Sequence, residues 1–174
     1  MRLVPLLLLL LPAAARAGVP EAVDPAQIPN YKVVAPGIAV AGQPSTEAVR
    51  TLGTLGFKTV LNIRTPEEGG LVDERAIVES QGLRYVSVPV TAKSLSSEDV
   101  LAIEKVLDDA ASGPVLFHCA SANRVGGLWA LVLARKGKDP EAALAAGREA
   151  GLKPGPMEEA VRRLLTPATG ISVP

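Results

Sequence analysis

Hydrophobic and polar positions along the chain fall into two alternating rhythms. Short runs rich in branched apolar residues read as strands: Tyr31 to Val34, Gly37 to Ala41, Lys58 to Ile63, Leu83 to Val90 and Val115 to His118. Between them, apolar residues three and four apart mark helices. The first covers roughly Thr46 to Leu55, with Val49, Leu52 and Leu55 on one face, and the second Asp73 to Ser80. The third runs from a cap at Ser96 to about Ala111, with Val100, Ile103, Val106 and Leu107 inward, and the fourth from Val125 to Arg135. Asp139-Pro140 opens a fifth that Gly151 ends, and Pro156 to Leu165 is the sixth. Ser45 is placed to cap the first helix, Gly56 to stop it, and Ser96 with Asp99 to form a capping box. Strands and helices that alternate, with strands apolar throughout, predict an α/β fold: a central, mostly parallel sheet of four to five strands flanked by helices.

The pattern breaks at the amino terminus. Arg2 is followed by an apolar run from Leu3 to Leu11 and by Ala15-Arg16-Ala17, a small-x-small cleavage signal. Residues 1–17 therefore read as a secretory signal peptide, too short to span a bilayer, with no stable membrane anchor expected after cleavage. Removal of 17 of the 174 residues leaves 157, enough for one core. Residues 18–30 read as an extended lead and 31–168 as a single domain, exported to the periplasm or secreted. Eighteen Lys and Arg balance eighteen Asp and Glu, so no basic face argues for nucleic acid as a partner.

The chain has one cysteine and one histidine, and they are neighbours. One cysteine forms no intrachain disulfide. With no second histidine and no thiol pair, no metal site is expected. His118-Cys119 ends the last apolar strand; Ala120, Ser121, Ala122 and Asn123 follow, then Arg124 and a helix softened by Gly126 and Gly127. Sulfur attacks as the thiolate, and three features favour that anion. Small loop residues let backbone N–H groups converge, the helix start adds its positive end, and Arg124 adds a permanent charge with a forked donor edge. The two glycines are expected to let the helix start approach the sheet. His118 reads first as a core histidine bonded to backbone, and second as a proton carrier. Gln43 and Arg64 follow predicted strands and either line the same rim, where ligands bind in open α/β sheets, or serve as a turn residue and a solvated charge.

His-Cys-x4-Arg after an apolar strand resembles the phosphate loop of the cysteine phosphatase superfamily. Ala39-Val40-Ala41-Gly42-Gln43-Pro44 and Gly56-Phe57-Lys58-Thr59-Val60-Leu61-Asn62-Ile63-Arg64 narrow it. Together they look like the bacterial phosphatase-like family that includes the domain fused to beta-lactamase-like hydrolases, over about Tyr31 to Lys136. The resemblance implies a dual-specificity-phosphatase-like fold and no cofactor. It also implies a phosphocysteine on Cys119, with Arg124 and the amides of residues 120–125 holding the phosphoryl oxygens.

The chain departs from that pattern in two ways. Four residues separate Cys119 from Arg124 where tyrosine phosphatases have five, and Val125 stands where they carry a hydroxyl, for which Ser121 is a substitute. The short loop is like that of rhodanese sulfurtransferases. The loop after the fourth strand, Thr91-Ala92-Lys93, lacks the superfamily's general-acid aspartate. Glu98 and Asp99 are explained by capping, Asp73 and Glu74 by a solvated helix face. Three readings follow: a phosphatase-like hydrolase acting on a phosphorylated small molecule or protein, a sulfurtransferase with a sulfane-sulfur donor, and a non-catalytic oxyanion-binding module.

Overall fold

A computed structural model describes residues 18–69, 73–109 and 111–166. The expected signal peptide, and the last two residues of the expected domain, lie outside the described residues. Strands β1 (Lys32–Ala35) and β2 (Ile38–Ala41) form an antiparallel hairpin turned by Pro36-Gly37, where Gly37 takes a φ of 76°. Helix α1 (Thr46–Thr51), β3 (Thr59–Asn62), α2 (Glu74–Glu79), β4 (Arg84–Ser87) and α3 (Ser97–Asp108) follow. The chain then forms β5 (Val115–His118), α4 (Asn123–Arg135), α5 (Pro140–Glu149) and α6 (Pro156–Leu165).

The five strands lie in the order β1-β2-β5-β3-β4. All pairs except β1 with β2 are parallel, so the fold is the expected α/β sheet. β5 is central, and Ala41, His118 and Asn62 are aligned across β2, β5 and β3. The carboxyl ends of three neighbouring strands therefore finish together, and their following loops share one rim.

Every residue of β2, β3 and β5 is buried, as the unbroken apolar runs require of strands covered on both faces. The period of two sends Leu61 and Phe117 into one core with Ile103 and Leu128. It sends Val60 and Leu116 into the other, with Leu52 and Phe57.

Several boundaries move inward. Helix α1 ends at Thr51 rather than Leu55, β4 spans only Arg84–Ser87, and α3 stops at Asp108. Residues 18–30 form no helix or strand and pack onto the domain. Val19 and Ile28 are buried against Val49 and Leu52, and the N–H of Ser45 donates to Gln27 O. The glycines of α4 do not face the sheet. A methyl on Gly126 would lie 2.4 Å from Leu152 N and 2.6 Å from Gly147 O, and one on Gly127 2.9 Å from Met157 and Val161. They permit close contact with α5, α6 and the turn between those two helices. Among the described residues no helix is long and apolar enough to cross a membrane.

Candidate active site

Helix α4 begins without a side-chain cap. Its N-cap residue, Ala122, holds a left-handed φ of 66°, and no acidic residue stands in the first turn. For alanine that conformation costs about 1 kcal/mol, and such outliers collect at functional sites. The first N–H groups of a helix have no partner within the helix. Here they are left facing the loop that starts at Cys119.

That loop is braced from outside through its carbonyls. Gln43 N–H donates to Ala120 O (3.1 Å) and Asn30 Nδ2 to Ser121 O (3.4 Å), while Cys119 N–H donates to Ala41 O (3.3 Å). With the carbonyls turned outward, the N–H groups of Ala120 and Ser121 meet no acceptor among the described residues. Ala120 and Ser121 are exposed. The side chain of Asn123 leaves the loop and accepts from Lys153 N–H (2.8 Å). Val125 is fully buried, so its side chain packs in the core and only its backbone belongs to the site.

The Cys119 side chain is 1% exposed, and the Arg124 guanidinium lies against its sulfur. Burial works against the arginine's charge. Its hydrogen bonds to Glu68, with the Glu68 charge and the nearby Cys119, raise its pKa above the ordinary arginine value. Glu68 grips Arg124 with both carboxylate oxygens, Oε1 to Nη1 and Oε2 to Nη2, each at 2.6 Å. Nη1 also donates to Val90 O (3.0 Å) and Ile63 O (3.4 Å).

A guanidinium has five N–H donors in a fixed plane. The Nη1 hydrogens and one Nη2 hydrogen are engaged. Nε–H and the second Nη2–H, side by side on one edge, meet no acceptor among the described residues, an edge that suits two oxygens of a phosphate-like anion. Glu68 therefore fixes the plane of Arg124 and leaves its binding edge open. The pairing holds the Glu68 carboxyl down at about 2: the Arg124 hydrogen bond lowers it most, burial opposes, and Thr65 N–H and Arg64 add to the lowering.

Arg64 and Gln43 meet at the rim as the sequence allowed. Arg64 Nη1 donates to Gln43 Oε1 and Nη2 to Gly69 O (2.6 Å), while Nε approaches Glu68 Oε2 at 3.4 Å. Neither is a solvated bystander: they tie the loop after β3 to the loop after β2. A cleft of about 470 Å3 opens beside them, walled by Arg64, Thr65, Glu74, Tyr85 and Ser87. Cys119 and Arg124 do not line it.

His118 is fully buried, but it does not bond backbone through its ring as expected. Nε2 lies 2.9 Å from Glu74 Oε1, off the line of an ideal hydrogen bond, and Nδ1 has no partner among the described residues. Asn62 Nδ2 donates to Glu74 Oε2 (3.0 Å) and to Tyr85 Oη (2.8 Å). Burial, then the charge of Glu74, raises the Tyr85 pKa. Glu74 is thus no part of a solvated helix face: it is 7% exposed and turned toward the strand that carries the cysteine.

Glu68 and Glu74 are the two residues that sequence reasoning missed in these roles. Glu68 lies 56 residues from its arginine. Its one local signal was the capping box with Thr65.

Residues 30–136 match the family model described as "Beta-lactamase hydrolase-like protein, phosphatase-like domain". The chain is 32% identical over 98 residues to the beta-lactamase hydrolase-like protein of Xylella fastidiosa, covering 54% of this chain and 22% of that one. It is 32% identical over 127 residues to the dual specificity protein phosphatase TpbA of Pseudomonas aeruginosa, covering 71% of this chain and 55% of that one. The chain thus spans about a fifth of the first relative's length and about half of the second's. The crystal structure of a cysteine-to-serine variant of TpbA in complex with phosphotyrosine superposes with a TM-score of 0.65 at 26% identity, over 91% of this chain and 93% of that one. The α/β sheet, the cysteine after its central strand and the family match agree: the chain belongs to the phosphatase-like domain family of the beta-lactamase hydrolase-like proteins, within the cysteine phosphatase superfamily.

Proposed function

We propose that the chain is a cysteine-dependent phosphoric ester hydrolase. The observation that carries this reading is the open edge of Arg124, held flat by Glu68 beside the sulfur of Cys119 and the uncapped start of α4. A phosphoryl dianion seated there receives two N–H groups from Arg124 and others from the loop amides. All are fixed before it arrives, which is where electrostatic catalysis gains most. The Cys119 thiolate attacks phosphorus from below, forming an S–P bond as the ester P–O bond breaks. Water then attacks phosphorus and the S–P bond breaks. Thiolate returns, and both water protons leave on dihydrogen phosphate.

His118 and Glu74 support the cysteine from behind the strand, and Gln43 and Arg64 fix the rim. The phosphotyrosine bound to TpbA supports a phosphorylated substrate, protein or small molecule. The leader read from residues 1–17 supports action in the periplasm or outside the cell.

The test is phosphate release from an aryl phosphate by the purified mature chain, alongside thiosulfate with cyanide as a sulfur-transfer assay. Cys119→Ser is expected to abolish phosphate release, and Arg124→Ala to lower kcat by about 10² to 10³-fold, the usual loss for one oxyanion donor. Phosphate release that survives Cys119→Ser overturns the covalent route. Thiocyanate formation without phosphate release favours sulfur transfer, the reading that the four-residue spacing between Cys119 and Arg124 supports.

A further inference from the structure

The carboxylates around the site are committed to other work. Glu68, the nearest to the guanidinium, has both oxygens on Arg124 and a further contact to Thr65 N–H (2.8 Å). It is held ionised well below neutral pH, so it carries no proton to give. Glu74 is buried against His118 and Asn62. Asp73 caps α2 with one oxygen, accepting from Ala76 N–H at 3.3 Å, and Asp99 accepts from Ser96 N–H at the start of α3.

The turn that follows Val90, whose carbonyl touches Arg124, is closed by reciprocal Thr91–Ser94 hydrogen bonds. Its only charged side chain is Lys93, a cation. Residues 70–72 are Gly-Leu-Val and bring no acid. Three exposed carboxylates are left, Glu67 in the same turn as Glu68, Asp73 at the cleft beside Arg64 and Glu98 at the start of α3, and among the described residues none of them pairs with Arg64 or Arg124.

We propose that this site transfers phosphoryl groups only from donors whose leaving group departs unprotonated, as a weakly basic anion: aryl phosphates and phosphoanhydrides, and not alkyl esters of serine or threonine. This rests on the phosphatase reading above and narrows its substrate. In the first step the electron pair of the breaking P–O bond goes to the leaving oxygen, which departs as phenolate or phosphate with no proton supplied by the protein. General acid catalysis is worth about 10² to 10⁴-fold. An alkoxide, far more basic than a phenolate, suffers that loss in full.

The experiment measures kcat/KM, which reports the steps up to formation of the phosphocysteine, for a series of phenyl phosphates from the dinitro compound to the unsubstituted one. O-phosphoserine and inorganic pyrophosphate are run beside them. The expected result is a steep fall as the leaving phenol becomes more basic, with O-phosphoserine at least about 10²-fold below phenyl phosphate. Pyrophosphate is expected to be turned over as well, and its failure to react while phenyl phosphate does overturns the assignment for phosphoanhydrides. Glu67→Gln, Asp73→Asn and Glu98→Gln are each expected to leave the slope unchanged.

A flat series, or O-phosphoserine turned over as fast as phenyl phosphate, overturns the assignment. A slope that is flat in the parent and steep in one of these three variants overturns it too, and names that residue as the acid. If no member of the series releases phosphate in a Cys119-dependent way, the phosphatase reading itself fails, and that outcome is distinct from a flat slope.

Discussion

Arg124 depends on Glu68 for its orientation, because the two 2.6 Å contacts fix both the position and the plane of the guanidinium. Glu68→Gln keeps the shape, removes the charge and leaves only one oxygen to accept. The expected outcome is a loss of about 10² in kcat/KM, the scale of a misplaced catalytic group, read in steady-state assays with an aryl phosphate. The same residue makes a pH prediction. Its carboxyl is lowered from 4.5 to about 2 on folding, so the unfolded chain takes up the proton first as pH falls. The stabilisation is therefore fully present above pH 4.5 and is lost as pH drops toward 2. Denaturant titrations across that window should show the parent chain losing more stability than Glu68→Gln. The difference should shrink at high salt, because the carboxylate is 26% exposed. This pair was not legible in the sequence. Cys119, Arg124 and the small residues between them were, because they are contiguous. Glu68 and Glu74 reach the site from loops and helices far along the chain, and only the parallel register of β3 with β5 brings them in.

Helix α4 joins the anion site to the rest of the fold, and its glycines set the fit. Gly126 packs on the backbone of Gly147 and Leu152, where a methyl would lie 2.6 Å from Gly147 O and 2.4 Å from Leu152 N. Neither neighbour is a flexible side chain that swings aside. Gly126→Ala is expected to cost about 1 to 3 kcal/mol through overpacking. At about 2 to 4 °C per kcal/mol for a chain of this size, a thermal melt should show it clearly. Any shift of the helix start also moves the loop amides, so phosphate affinity should fall with Tm. At this scale the sequence revealed which elements exist but not where they end. β3 and β5 were visible as branched apolar runs because both faces are covered. The Leu83 to Val90 alternation overstated β4: the regular ladder with β3 ends at Ser87, and beyond it Val88 and Val90 N–H still donate to Asn62 O and Ile63 O, which holds the Val90 carbonyl against Arg124. Helix α4 starts two residues earlier than its apolar periodicity suggested, because the left-handed turn at Ala122 lets Asn123 and Arg124 enter the first turn.

For the whole molecule, the arrangement puts one thiol at the floor of a polar rim with no second cysteine anywhere in the chain. The export proposed from residues 1–17 would deliver that thiol to an oxidising compartment. If the leader is cleaved after Ala17, amino-terminal sequencing of the exported protein should begin at Gly18; a chain that retains residues 1–17 would contradict the export reading. Cys119 is 1% exposed, and its loop neighbours Ala120 and Ser121 are exposed. A small oxidant reaches it more readily than a bulky disulfide does. Oxidation by peroxide gives a sulfenic acid first, and with no neighbouring thiol to trap it as an intrachain disulfide, further peroxide drives it to the irreversible acids. Brief peroxide treatment should therefore abolish phosphate release in a way that dithiothreitol reverses, and prolonged treatment in a way it does not. An oxyanion bound at Arg124 covers the sulfur, so inorganic phosphate should slow both stages. Equal rates of inactivation with and without phosphate would show that the anion does not sit over Cys119.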